Sequence, residues 1–453
     1  MIVAPATPVP AVPRGAHLRG RSGSVLVGVL WCVVLLSVLV LGMLQTTRKD
    51  LMIGKYHADR IQAHYLALAG VEKAKALLHQ DALTRSRSGV HHGPGLYNAP
   101  EQFQDMKLGR GAFSVFRPAR AGEGGGMIFG VSDEEGRLNI NVADVNQLTN
   151  LLGLTTDIAA AIVDWHDSDN TVSPGGAETP YYATLQPPYR ARNGPIPTLR
   201  ELLMVRGVTE EKLFGPAGEA SEGDGGSGVA EVAPETGWAG WLTAHSGVAN
   251  VDASGGDRVN VQNADVAALT GVRGVTQEIA RAIVAHRGQS PIRSLVDLLD
   301  VPAAPPPGAQ PGNNRNNNNA NRPKVIDERL LKEVADSLTV AEGASLEGVV
   351  NVNTAPVEVL MCLPRVDRML AQAVVAHRQA NGFFAHEAAL LDVPGMTREI
   401  LRELSPRIAM RSETFRIRSE GRVGDRGSRQ RIEVVVRVGA RTVSTLAYRE
   451  DDL

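Results

Sequence analysis

From Ser24 to Gln45 the chain reads SVLVGVLWCVVLLSVLVLGMLQ, without a single charged residue. At 1.5 Å per residue, about 20 such residues cross the ~30 Å hydrocarbon core of a bilayer. Within lipid the segment has to be helical, because every backbone N–H and C=O must pair inside it. A cleaved secretory signal has an apolar core of only about 7–15 residues, closed by a small-residue cleavage site. Here the apolar run is longer and leads into an amphipathic pattern, with Ile61, Tyr65, Leu68, Val71 and Leu78 at spacings of three, four and seven. The expectation is a retained single-pass membrane helix over 24–45, continued by a helical extension over 46–80. Together they make roughly 80 Å of helix, half of it in lipid. Flanking charge leaves the orientation open, since Arg14, Arg19 and Arg21 precede the span and Arg48, Lys49 and Lys55 follow it.

The strongest internal signal is a repeat. RLNINVADVNQLTNLLGLTTDIAAAIVDWHD starts at Arg137, RVNVQNADVAALTGVRGVTQEIARAIVAHRG at Arg258, and VVNVNTAPVEVLMCLPRVDRMLAQAVVAHRQ at Val349. Asn139, Asn260 and Asn351 correspond, as do Leu148, Leu269 and Leu360, and Ile162, Ile283 and Val374, at constant offsets of 121 and 91. Each copy predicts a short extended piece, a helix capped by the residue before it, a tight turn, a longer helix and a further short helix pair. Pro356 suits the first position of such a helix. The second and third copies share an LT dipeptide upstream, at Leu242-Thr243 and Leu338-Thr339. His286-Arg287 and His377-Arg378 fall at equivalent helix ends, where cations are favoured. The pattern resembles the helix-hairpin-helix family. In its DNA-binding members a Gly-hydrophobic-Gly turn offers backbone N–H groups to a phosphate. Gly153-Leu154-Thr155, Gly274-Val275-Thr276 and Arg365-Val366-Asp367 all lack the second glycine, and basic residues do not gather around them. With a net charge of −2, no electrostatic footprint invites nucleic acid, and none is expected as a partner.

Phe113–Phe116 and Met127–Val131 read as short strands, and FRIRSEGRV (415–423), RIEVVVRVG (431–439) and TVSTLAYRE (442–450) as an antiparallel meander with one buried face. The fold class is therefore α+β: a long N-terminal helix and a β-meander, with a large all-α lobe inserted between early and late strands. Residues 81–136 and 411–453 form the β domain, and the helical modules occupy 137–214, 238–301 and 324–410. Between the modules lie a Gly-rich linker, 215–237, and a Pro/Asn-rich linker, 302–323. Cys32 and Cys362, the two cysteines, are not expected to meet.

Asp164, Asp167, Asp169 and Glu178 lie within fifteen residues on a Gly/Pro-rich loop. Hard carboxylate oxygens on flexible backbone suit Ca²⁺, although the spacing is not that of an EF-hand, and an acidic solvated loop has the same composition. No Gly-x-Ser-x-Gly, HExxH or Walker loop occurs, so no catalytic constellation stands out and the chain is read as no enzyme.

A basic leader, an uncharged helix, its amphipathic extension, a β-meander and inserted helical modules follow one another in the order of the type II secretion minor pseudopilin K family. Residues 164–194 (DWHDSDNTVSPGGAETPYYATLQPPYRARNG), VNVNTAPVEVL (350–360) and ALAGVEKAK near residue 70 resemble segments of that family, with the second module as an additional copy. The resemblance implies a prepilin-type leader, 1–23, cut by a prepilin peptidase between Gly23 and Ser24. It implies Ca²⁺ in the helical lobe, with Asp167 and Asp169 foremost. Most pseudopilins carry Glu five residues into the mature helix; Gly28 stands there in this chain, as suits a subunit with none above it, since a buried carboxylate lacking its partner only suffers desolvation. The resemblance further implies a tip cap of the periplasmic pseudopilus, assembled with I- and J-type minor pseudopilins, anchored in the inner membrane by 24–45 and facing cargo or the secretin. The competing reading is a membrane-tethered DNA receptor of the competence type.

Overall fold

The computed structural model describes residues 22–91, 95–119, 123, 126–215, 237–303, 322–424 and 427–451. Most of the leader, 1–21, lies outside them, as do nearly all of both linkers. The chain divides into two units, Met1–Asp59 and Arg60–Leu453, and the helix Ser22–Ser88 contributes residues to both.

In the first unit the helix is apolar on every side from Val25 to Gln45, and its most apolar window has no residue buried within the protein. A helix of that kind needs a nonpolar surround. The hydroxyls of Ser37 and Thr47 are satisfied inside the helix: Ser37 donates to Val33 O at 2.7 Å and Thr47 to Met43 O at 2.8 Å. This is the one helix among the described residues long and apolar enough to cross a membrane.

In the second unit, residues 60–88 bury Ala63, Ala67, Val71, Ala74 and Leu78 against an antiparallel sheet. The sheet runs Met106–Leu108, Gly111–Val115, Thr414–Val423, Arg429–Val438, Val443–Asp451, and Ser132–Asp133 also pairs with Thr414–Val423. Ile417, Ile432, Val434 and Val436 alternate toward the helix. Small residues let the two layers approach closely. A Cβ on Gly421 would lie 2.0 Å from Ala63 O and 2.5 Å from Ala67 N, and one on Gly70 would lie 2.2 Å from Ser419 Oγ. The meander expected at 415–450 is present; of the strand expected over Met127–Val131, Met127–Ile128 forms and pairs antiparallel with Arg117–Pro118, apart from the main sheet. The central strand Thr414–Val423 joins Gly111–Val115, so the modules are inserted between hydrogen-bonded neighbours.

The three modules share one construction. Leu138–Asn139, Val259–Asn260 and Val350–Asn351 each open a module, and each pairs in parallel with a two-residue strand that closes it: Leu242–Thr243, Leu338–Thr339 and Ile408–Ala409. This corrects the boundaries. The two LT dipeptides end the first and second modules rather than introducing the second and third. Residues 215–237 and 302–323 are accordingly insertions within modules 1 and 2, not linkers between modules.

The NxN signature explains the closure. Oδ1 of Asn139, Asn260 and Asn351 accepts the N–H two residues on, at 2.9, 2.8 and 2.9 Å, which turns the strand toward the first helix. The next polar residue staples the module's far loop. Asn141 accepts Ile196 N at 2.7 Å, Gln262 donates to Ile292 O, and Asn353 accepts Phe384 N at 2.8 Å. Arg287 and Arg378 lie in the last turns of their helices, as expected, and donate to Val261 O (2.8 Å) and Val352 O (2.6 Å), so they also tie the long helix back to the opening strand.

Asp144 and Asp265 cap the first helices through Gln147 N and Ala268 N; Pro356 occupies the cap position itself, one residue before the helical position expected of it. The longer helices are Thr156–His166, Gln277–Arg287 and Arg368–Asn381. Leu148, Leu269 and Leu360, and Ile162, Ile283 and Val374, are buried in one continuous core.

The turn between the two helices needs a left-handed residue. Gly153 (φ +77°) and Gly274 (φ +94°) supply it at no steric cost, whereas the third module places Arg365 there at φ +60°. Arg365 makes an exposed ion pair with Glu403, and such pairs contribute less than about 1 kcal/mol. Arg365→Gly is therefore expected to stabilise the protein by about 0.5–1 kcal/mol in urea unfolding. A loss of stability would show that the ion pair outweighs the backbone.

Candidate functional site

The acidic loop leaves the end of the helix Thr156–His166. Asp164 lies in its last turn and is fully buried; Asp167 follows as the C-cap, and Glu178, also fully buried, is the N-cap of Thr179–Tyr182. Carboxylate oxygens of Asp164, Asp167 and Glu178 lie within 4.8 Å of one another. Asp169 is not part of this set. It is exposed, and its Oδ1 accepts Thr171 N at 2.6 Å.

Local structure drives the acids together. Asp164 Oδ2 accepts Ser173 N at 3.1 Å, and a Cβ on Gly176 would lie 2.0 Å from the same oxygen, so only glycine fits against it. Trp165 packs edge-on to Tyr182 with ring centroids 4.9 Å apart, and its indole N–H donates to Glu201 Oε1 at 3.0 Å, which fixes the far side of the loop.

Two oxygens are left over. Asp164 Oδ1 and Glu178 Oε1 are buried without a hydrogen-bond partner, an expensive state for a carboxylate unless a cation offsets it. Burial, then the charges of Asp167 and Asp164, push Glu178 up to about 7; burial and the Asp169 and Asp164 charges also raise Asp167. A donor set of carboxylate oxygens alone suits a hard divalent ion such as Ca²⁺ rather than zinc or copper. The first module also carries His166 where the others carry Arg287 and Arg378. Its Nε2 is buried without a partner, and burial lowers its pKa.

A second polar centre escaped the sequence reading. Asp133, Glu134 and Glu135 are consecutive and all fully buried, at the joint of sheet and modules. Asp133 accepts hydrogen bonds from Thr354 Oγ1, from Ser412 Oγ (2.7 Å) and from Glu135 N (2.9 Å). Glu134 accepts from Arg416 Nη2 at 2.9 Å and from Thr243 Oγ1, the latter in the closing strand of module 1. Glu135 accepts from Gly247 N and Thr414 N, each at 3.1 Å to Oε1, while its carbonyl receives Asn351 N at 2.7 Å. Burial and the Asp133 charge push Glu135 well above the usual carboxylate range. These three side chains thus bind module 1, module 3 and the central strand to one short segment.

Residues 130–213 match the family model "Type II secretion system (T2SS), protein K", and residues 254–306 and 347–409 match "Helix-hairpin-helix motif". The first match spans both acidic centres, and the other two fall on modules 2 and 3. Among curated relatives, the type II secretion system protein K of Pectobacterium carotovorum subsp. carotovorum is 27% identical over 219 residues, 43% of this chain and 61% of the relative. The protein of the same name from Pseudomonas aeruginosa PAO1 is 26% identical over 211 residues, 42% of this chain and 58% of the relative. The chain thus spans about three-fifths of the length of these relatives. A solved structure, the GspK-GspI-GspJ complex from the enterotoxigenic Escherichia coli type 2 secretion system, aligns with 90% of this chain and 100% of its own at 15% identity, with a TM-score of 0.37.

Proposed function

From a chain that carries the protein K domain of type II secretion, we propose a minor pseudopilin that caps the tip of a periplasmic pseudopilus and supports protein export across the outer membrane. The protein K match over 130–213 carries this reading. It is supported by the charge-free helix at the N-terminal side, suited to a single inner-membrane span, and by the module lobe inserted into the sheet. A lobe of three modules is too bulky for a subunit packed inside a filament, and the tip is where such a subunit fits. The proposed partners are I- and J-type minor pseudopilins, with cargo or the secretin beyond the tip. Co-expression with those two proteins should yield a detergent-stable complex, and deleting the gene should stop export. Failure to co-purify together with unimpaired export would remove the proposal.

DNA binding has only the helix-hairpin-helix pattern in its favour. Thr276 and Asp367 already cap the long helices of modules 2 and 3, through Ile279 N and Leu370 N, at the N-terminus where a phosphate would otherwise sit.

Ca²⁺ is the ion proposed for the acidic loop, held by Asp164, Asp167 and Glu178 and serving to fix the first module. At a hundredfold excess over its Kd the ion would stabilise the native state by about 2.7 kcal/mol. Ca²⁺ is expected to raise the Tm and a chelator to reverse it. Asp167→Ala should abolish that response, and Asp169→Asn should leave it intact. An unchanged Tm with Ca²⁺ would eliminate the ion; a response lost in Asp169→Asn but kept in Asp167→Ala would overturn the ligand set.

A further inference from the structure

The sheet face opposite the N-terminal helix meets the first module across a cavity of about 460 Å³. Arg416, Arg418, Arg431 and Glu433 line it, alternating along their strands with the residues that pack on the helix, and Arg449 and Arg200 complete the charged wall. Arg416 pairs with Glu134 at 2.9 Å, Arg418 with Glu433 at 2.8 Å, Arg431 with Glu420 at 2.8 Å and Arg449 with Glu433 at 3.7 Å. Four guanidinium groups therefore share three carboxylates. Arg200 is exposed, lies over the Phe214 ring at 5.4 Å, and forms no ion pair among the described residues. The excess is felt inside the cavity. Burial would raise Glu433, yet the charges of Arg416, Arg418 and Arg449 outweigh it and hold that carboxyl far below its usual range.

Two features narrow the ligand. Leu199, Phe214, Val435 and Ala447 give the cavity apolar wall between the arginines, unlike the open basic stripe that tracks a nucleic-acid backbone. Ala447 and Arg449 also belong to Val443–Asp451, the outermost strand, which pairs on one side only among the described residues. Its other edge presents backbone N–H and C=O groups that a polypeptide can pair.

We propose that this edge and cavity together receive an extended acidic segment of a partner protein, added as a further strand beside Val443–Asp451 with a carboxylate turned into the arginine cavity. The test uses the full-length chain in detergent micelles and a fluorescent decapeptide of alternating Glu and Val. Anisotropy should show saturable binding, weakened at least tenfold by Arg200→Glu and by about 0.5 M salt. A peptide with Lys in place of Glu should not bind. Ala447→Trp, which fills the cavity, should also weaken binding at least tenfold, and amide exchange over 443–451 should slow in the complex. Arg200 is a surface residue, so its variant keeps the test decisive if the Trp variant misfolds. Absence of saturable binding, equal affinity for the Lys peptide, or undiminished affinity in Arg200→Glu would each overturn the proposal. So would tighter binding of single-stranded DNA with the same dependence on Arg200.

Discussion

Gly421→Val is expected to destabilise the second unit by about 3 kcal/mol or more, among the larger effects of a single substitution. The first side-chain carbon added there would stand 2.0 Å from Ala63 O and 2.5 Å from Ala67 N. Both are backbone atoms of the helix, so no rotamer change relieves the clash, and the helix has to lift from the strand. Lifting it exposes Ala67, Val71, Ala74 and Leu78 together with Ile417, Ile432, Val434 and Val436, the centre of that layer's interior. Urea unfolding should report the loss, and amide exchange should quicken over residues 63–82. Gly439→Ala is the control: its nearest neighbour lies 3.8 Å away, and the change should stay within about 0.5 kcal/mol. Equal stability of Gly421→Val and the parent would mean that the helix does not rest on this strand at that distance.

Asp133→Ala should cost about 3–4 kcal/mol, because it leaves buried donors of Thr354, Ser412 and the Glu135 backbone without their acceptor. Its effect also crosses element boundaries. Thr354 belongs to the third module and Ser412 to the passage into the central strand, so the change should loosen the lobe from the sheet while each keeps its own core. Asp133→Asn retains one acceptor oxygen and should cost less. Thermal unfolding of the alanine variant should split or broaden, whereas a single unshifted transition would show that the joint does not depend on this carboxylate.

The sequence announced the modules because their core positions recur at fixed offsets, and a packed interior punishes departures from them: Leu148, Leu269 and Leu360 are buried alike. It misled on where a module ends. Leu242-Thr243 stands just before the second copy in the chain, yet its hydrogen bonds go back to Leu138–Asn139. Parallel pairing across a hundred residues leaves no local trace, so adjacency in sequence assigned the dipeptide to the wrong copy. The acidic loop was legible as composition, but its two burials were not. Asp164 is hidden because the loop folds back onto its carboxylate, with Ser173 N donating to it and Gly176 against it, while Asp169 stays in solvent. Asp133-Glu134-Glu135 went unnoticed for a related reason. Three consecutive acids before Gly136-Arg137 carry no mark of burial in the sequence, and the donors converging from residues 243, 354, 412, 414 and 416 account for it.

The N-terminal helix is proposed as the membrane stalk of a processed pseudopilin, and N-terminal sequencing reads that directly. Protein isolated from cells with the prepilin peptidase should begin at Ser24, and protein from cells lacking it should retain residues 1–23. An identical N-terminus at Met1 in both strains would contradict the account.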